Sequence, residues 1–341
     1  MSIRFNLSRY VCTNSYNYYK YLLNTGSVRI CKTISVMKRN YHLCLSSDNE
    51  IMFRDKEDYN RGFNYFAIAL YKTSSVGLVE SFMSTHCHLF VQTEDPDSLM
   101  YHFRNSYSKY FNFKYKRNGR LGEDKHFYME VVGCNHLLAA LSYILRNALH
   151  HGVASIPFAY PYSTANSIFR NEMGKFFNEP LLSNRRSYTK YVGRNADYPD
   201  SYKMTASGVF LRESVLDIPQ VENIFVSPRA YSYYMTRKSS EEWNNEQNKD
   251  GNGVPPINLL NIESGVKVDT YDKMLKYENG KENYRSITDI ELCEELDTMV
   301  RERYSGKSIY ELSDNEKIKI AEYYMRSKFI SRDRMRRCLA L

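Results

Sequence analysis

Thr85-His86-Cys87-His88-Leu89-Phe90-Val91 is the stretch on which the reading of this chain turns. It follows a second apolar run, Val76 to Met83, across the short Ser84-Thr85 connection, so the two runs read as adjacent strands joined tightly. Side chains alternate along a strand, which sends His86 and His88 out of one face and Cys87 out of the other. Two imidazoles on one face can hold a divalent cation, and Leu89 to Val91 anchors the strand in a core. His-x-His on its own is a weak pattern that chance produces often.

Working outward, Arg39 to Leu45 reads as a first strand, followed by the turn residues Ser46-Ser47-Asp48-Asn49. Asp55-Lys56-Glu57-Asp58 opens a helix whose apolar residues Phe63, Phe66, Ala67 and Leu70 keep helical spacing. Downstream, Asp95-Pro96-Asp97 opens another helix with Pro96 in its first turn. Lys125 to Val132 reads as a strand, and Asn135 starts a helix that runs to about His150 before Gly152 stops it. The order strand, helix, strand, strand, helix, strand, helix predicts an α+β fold: an antiparallel sheet with helices on one side, close to a split βαβ arrangement.

Residues 38–155 are therefore expected to form one domain, preceded by a basic extension over 1–37. An accessory region over 156–237 and a polar, Gly/Asn-rich linker or mobile loop over 238–256 follow. Residues 257–341 are expected to be mostly helical. Thr288-Asp289-Ile290-Glu291 and Ser313-Asp314-Asn315-Glu316 both have capping-box spacing. The last helix pair, 314–327 and 331–340, fits a helix-turn-helix whose second helix carries Arg332, Arg334, Arg336 and Arg337. It fits a plain hairpin with a solvated basic face equally well.

Composition narrows the class. The chain has 341 residues with 47 Lys and Arg against 39 Asp and Glu, a formal charge of +8 that suits a polyanionic partner without specifying one. Its 31 Tyr and 17 Phe supply rings that can stack on bases or fill a core. Seven scattered cysteines without a CxxC pair argue against a disulfide framework and a thiolate zinc site, and suit a reducing cytoplasm. No apolar run approaches the ~20 residues that span a bilayer. Residues 1–47 hold seven Lys or Arg and no acidic residue, a pattern shared by organellar transit peptides and by basic arms; the second is the expectation here.

Tyr143-Ile144-Leu145-Arg146-Asn147 adds a second element to the His-x-His strand. Positions i and i+4 share a helix face, so Tyr143 and Asn147 point the same way and present a phenol beside an amide oxygen. Taken in order with Tyr41-His42-Leu43, Ile51-Met52-Phe53, Ser84 to Val91, and Tyr107-Ser108-Lys109-Tyr110-Phe111-Asn112 followed by Gly119, this pattern resembles the single-tyrosine HUH transposases of small insertion sequences and their REP-associated relatives. The likeness covers about a third of the chain, Tyr41 through Gly152. Ser84-Thr85 stands where that family has Pro-Asn, and Ala148 where it has the Pro after Asn147.

The resemblance implies that Tyr143 is the nucleophile, that His86 and His88 are paired metal ligands, and that Asn147 is the third ligand. It implies Mg2+ or Mn2+ as cofactor, single-stranded or hairpin DNA as partner, and a homodimer or monomer in a bacterial cytoplasm, nucleoid-associated when DNA-bound. The activity implied is cleavage and rejoining of single-stranded DNA through a 5′-phosphotyrosine. Arg104, Lys109, Lys114, Lys116, Arg117, Arg120 and Lys125, interleaved with aromatic residues, are the candidate DNA-binding set. The rival readings are a replication or mobilisation nickase of the same chemistry, and a non-catalytic DNA-binding regulator.

Overall fold

The computed structural model describes residues 38–175, 179–236, 240–264, 266 and 271–341; the basic extension expected over 1–37 lies outside them. The first half contains β1 (Arg39–Ser46), α1 (Lys56–Lys72), β2 (Val76–Phe82), β3 (His86–Thr93), α2 (Pro96–Tyr115), β4 (Phe127–Glu130), α3 (Cys134–Leu145) and α4 (Asn147–His150). The four strands form an antiparallel sheet in the order β2-β3-β1-β4. Because β3 runs against both β1 and β2, those two strands are like-directed and α1 is the crossover between them. By the same logic α2 carries the chain from β3 over β1 to β4.

Local sequence explains the helices. Asp55 caps α1 by accepting from the Asp58 backbone N–H, and Phe63, Phe66, Ala67 and Leu70 form its buried stripe. Asp95 caps α2 in the same way with Pro96 just inside, and Leu99, Phe103, Tyr107 and Phe111 are buried at successive i+4 positions. Much of the aromatic stretch from Tyr101 is therefore core. Leu70 lies against Gly77 of β2, and the Phe82 and Phe103 rings meet edge to face, so α1 and α2 cover the sheet face that also bears Cys87, the register partner of Phe82. The expectation of helices on one side holds for these two. In a correction, α3 packs on the opposite face, where His86, His88 and the buried Phe90 also need cover from water.

The rest of the chain comprises α5 (Thr189–Val192), α6 (Arg212–Val215), α7 (Ile218–Phe225), α8 (Pro228–Thr236), α9 (Ser240–Gln247), α10 (Leu259–Ile262), the β5–β6 hairpin (Tyr271–Glu278 and Lys281–Thr288), α11 (Asp289–Arg303), α12 (Asp314–Ser327) and α13 (Arg332–Leu339), with short 3-10 turns between. Ile168, Phe210, Val221, Phe225, Tyr231 and Ile262 join the same apolar core as the sheet, so the described residues of 156–262 pack on it. Within 238–256, expected as a polar linker, residues 251–255 are exposed, whereas Ser240–Gln247 is helical and Gln247 is buried and exchanges two hydrogen bonds with the Ile257 backbone. Polar side chains there satisfy backbone groups instead of remaining in water.

A second apolar cluster, centred on Leu292, Leu296, Val300, Ile309 and Met335, is built by α11 to α13. Both predicted capping boxes form, at Thr288 with Glu291 and at Ser313 with Glu316. Of the four arginines of α13, Arg332 is exposed and the other three are held against the protein. Arg334 is buried in an ion pair with Asp289, Arg337 is buried, and Arg336 binds Asn49 and the Asp48 carbonyl. Among the described residues no helix is long and apolar enough to cross a membrane. Cys44, Cys87, Cys293 and Cys338 are free and buried.

Candidate metal and tyrosine site

The β1–β3 register pairs Cys44 with His88 and His42 with Phe90, so His42 shares a sheet face with His86 and His88. The His42 Nε2 and His88 Nδ1 atoms are 2.9 Å apart, and their rings stack at 5.0 Å. His86 Nδ1 lies 3.1 Å from the Thr85 hydroxyl. One nitrogen of each ring is thus held by a neighbour, which orients the ring and leaves the other nitrogen facing inward. His86 Nε2 and His88 Nε2 are fully buried and have no partner of ordinary hydrogen-bond geometry among the described residues, Asn147 being the side chain that faces His86.

The helix pair α3–α4 brings up the rest. Asn147 is fully buried with Oδ1 unpartnered, and the Tyr143 hydroxyl is buried without a partner of ordinary hydrogen-bond geometry. The Tyr143 ring stands edge-on to His88 at 6.2 Å and stacks on His150 at 4.9 Å. An unsatisfied buried polar atom costs ~1–3 kcal/mol, so orphans meeting in one place need a reason. A cation held jointly by the imidazole nitrogens and the amide oxygen supplies one.

A carboxylate completes the cluster. Glu263, just after α10, accepts from Asn147 Nδ2 at 3.1 Å through Oε1, which also lies 2.8 Å from His151 Nε2. One ligand atom from each of His86, His88 and Glu263 lies within 4.8 Å of the others. Two donors each ~2.1 Å from a shared ion stand about 3–4 Å apart, so modest closure suffices.

Electrostatics favour ligation over protonation. Burial depresses His42 and His86 to about 3 and pushes His88 well below the usual imidazole range, so all three rings are neutral near pH 7, the form that binds a cation. Burial, and then the Glu263 charge, raises the Tyr143 phenol well above its ordinary value. Glu263 is pulled upward by burial, but the His151 hydrogen bond and charge bring it below the usual carboxylate range. Tyr143 also lines a cleft with Arg146, His150, Trp243 and Leu259.

All four residues expected at the chemical centre, Tyr143, His86, His88 and Asn147, come together. The candidate DNA-binding set divides. Arg104 is buried, with its guanidinium bound to the carbonyls of Leu121 and Gly122 at 2.7 Å and of Asp124 at 3.3 Å, which ties α2 to the loop before β4. Lys114 bridges Asp55 and Asp58, and Arg117 makes a two-pronged pair with Glu50. These three are corrected to structural roles, because their donors are satisfied inside the protein. Lys116 pairs loosely with Glu311, while Lys109, Arg120 and Lys125 are exposed, as is the Phe113 ring.

Sequence reasoning missed His42, His151 and Glu263 as parts of this site. The strand alternation between His42 and Cys44 could have flagged the first. The sequence carries no local signal for Glu263, which lies 116 residues beyond Asn147.

No protein-family model and no curated protein matches the sequence. Among solved structures, the chain is similar to a REP-associated tyrosine transposase bound to a REP hairpin, at 10% identity and a TM-score of 0.35, over 41% of this chain and 82% of that one.

Proposed function

We propose that this chain is a metal-dependent HUH-type strand transferase that cleaves and rejoins single-stranded or hairpin DNA through Tyr143. The observation that carries the reading is the meeting of Tyr143 and Asn147 with the unpartnered ring nitrogens of His86 and His88. Support also comes from the strand order β2-β3-β1-β4 with its two like-directed crossovers, the order of a ferredoxin-like split βαβ frame.

In this reading His86, His88 and Asn147 would hold Mg2+ or Mn2+, which would supply Lewis-acid polarisation of the scissile phosphate. His42 and Thr85 fix the two imidazole rings. The Tyr143 oxygen attacks phosphorus; the new tyrosyl–phosphate bond forms as the bond to the 3′ oxygen breaks. The phenol proton is given up and the departing 3′ oxygen takes up a proton, so the exchange balances. Because one ester replaces another, an incoming 3′-hydroxyl can reverse the step and join new ends. In the arrangement described the phenol is covered, so the cleft beside Trp243 must widen before a phosphate reaches it.

The test is a denaturing gel of protein incubated with labelled single-stranded oligonucleotides, hairpins included, and Mn2+. Wild type is expected to form a covalent adduct and Tyr143→Phe to form none. An adduct that persists in Tyr143→Phe, or none from wild type with any such substrate, overturns the proposal.

A further inference from the structure

We propose that Glu263, from the segment that follows the core domain, is a fourth ligand of the His86–His88–Asn147 ion, so that metal binding latches residues 252–263 over Tyr143. The inference rests on reading the two histidines as metal ligands, and goes beyond it by assigning a carboxylate donor from a distant part of the chain. Three observations lead to it. A Glu263 carboxylate oxygen lies within 4.8 Å of a ring nitrogen of both His86 and His88, a spacing that modest closure brings onto a shared ion. Its Oε1 is steered by Asn147 and His151, an outer arrangement typical of a ligating carboxylate. Finally, His86, His88 and Asn147 are fully buried, and imidazole nitrogens and an amide oxygen bring no negative charge as ligands, so a divalent ion among them alone would bring two uncompensated positive charges into a low-dielectric interior. One carboxylate halves that charge and leaves the remainder for a DNA phosphate.

The same geometry gives the ion a second effect. Glu263 follows α10, and the cleft over Tyr143 is lined by Asn258 and Leu259 of this stretch together with Trp243 of α9. Coordinating Glu263 draws that wall against α3, and releasing it frees the wall.

The experiment titrates Mn2+ into the full chain by calorimetry and follows hydrogen exchange with and without Mn2+. Wild type should bind Mn2+, and Glu263→Gln, which keeps shape and a hydrogen-bonding oxygen, should bind at least about tenfold more weakly, since even outer partners of metal ligands change affinity by ~10–100-fold. Mn2+ should slow exchange over 252–263 in wild type and not in the variant. Equal Mn2+ affinities, or wild-type exchange over 252–263 that ignores Mn2+, overturn the proposal. If Glu263→Gln fails to fold, the wild-type exchange result decides alone. The outcome separates from the proposed function: a Tyr143-dependent adduct with unchanged affinity in Glu263→Gln sinks only the fourth ligand, and Glu263-dependent binding without any adduct sinks only the strand transferase.

Discussion

Replacing Asp250 with alanine should loosen the helix that carries Tyr143, although the two residues are far apart in sequence. Helix α3 begins at Gly133 with φ of 108° and has no side-chain cap of its own. Asp250 caps it from outside: its carboxylate accepts from the backbone N–H of Asn135 and of His136 at 3.0 Å, from Asn135 Nδ2 at 2.7 Å, and bonds His136 Nδ1 at 2.7 Å. Gly133 is matched to this contact, since a Cβ there would collide with the carboxylate. Loss of a helix cap costs ~0.5–2 kcal/mol, and loss of a negative charge at a helix N-terminus a further ~0.3–1 kcal/mol. Asp250→Ala should therefore lower stability by about 2 kcal/mol at neutral pH.

Urea unfolding followed by the fluorescence of Trp243, the one tryptophan of the chain, reads this directly. The pH dependence is a second check. Burial works to raise the Asp250 pKa, but its bonds to His136 and Asn135 bring it below the ordinary aspartate value. A depressed carboxylate contributes stability above its unfolded pKa and loses it as pH falls through the folded value. The deficit of Asp250→Ala should thus be level from about pH 5 to 8 and shrink only below about pH 4. A deficit under about 0.5 kcal/mol, the ordinary range for surface changes, or one that grows on acidification, would refute the cap.

Two further outcomes follow from the division of the basic residues. Changing Lys109, Arg120 and Lys125 together to Gln should reduce the salt dependence of single-strand binding by ~2 in log–log slope, at ~0.7 per phosphate contact, and leave stability unchanged; an unaltered slope removes these residues from the interface. Arg334→Met should destabilise the C-terminal helices by ~3–5 kcal/mol by leaving Asp289 as an unpaired buried charge, and Asp289→Asn in the same chain should recover part of the loss. Recovery absent in a double-mutant cycle would mean that the two side chains are not energetically coupled.

The sheet and its two crossover helices were legible because each is announced locally. Asp55 and Asp95 sit where caps belong, the α1 stripe keeps its period, and strand alternation separates His86 and His88 from Cys87. The same rule placed Tyr143 beside Asn147, even though α3 gives way to α4 at Arg146. The basic stretch after Tyr101 was misread in part because charge was taken as exposure. Arg104 is basic but buried, and three backbone carbonyls, invisible in a residue pattern, account for its donors.

Residues 238–256 show the deeper reason. A polar, glycine-containing stretch reads as solvated because side-chain entropy and hydration normally outweigh anything it can bury. That balance reverses when its acceptors meet donors already orphaned elsewhere, because those donors would otherwise carry the full cost of an unmade hydrogen bond. Asp250 meets the exposed end of α3, and Gln247 satisfies both backbone groups of Ile257, which in turn sets the approach of α10. Glu263 then arrives at Asn147 and His151 as the last link of that series. Each link depends on a vacancy in a distant element, so the site can be completed only after the fold exists, and a reading confined to local pattern finds Tyr143 and the imidazoles but not the carboxylate beside them.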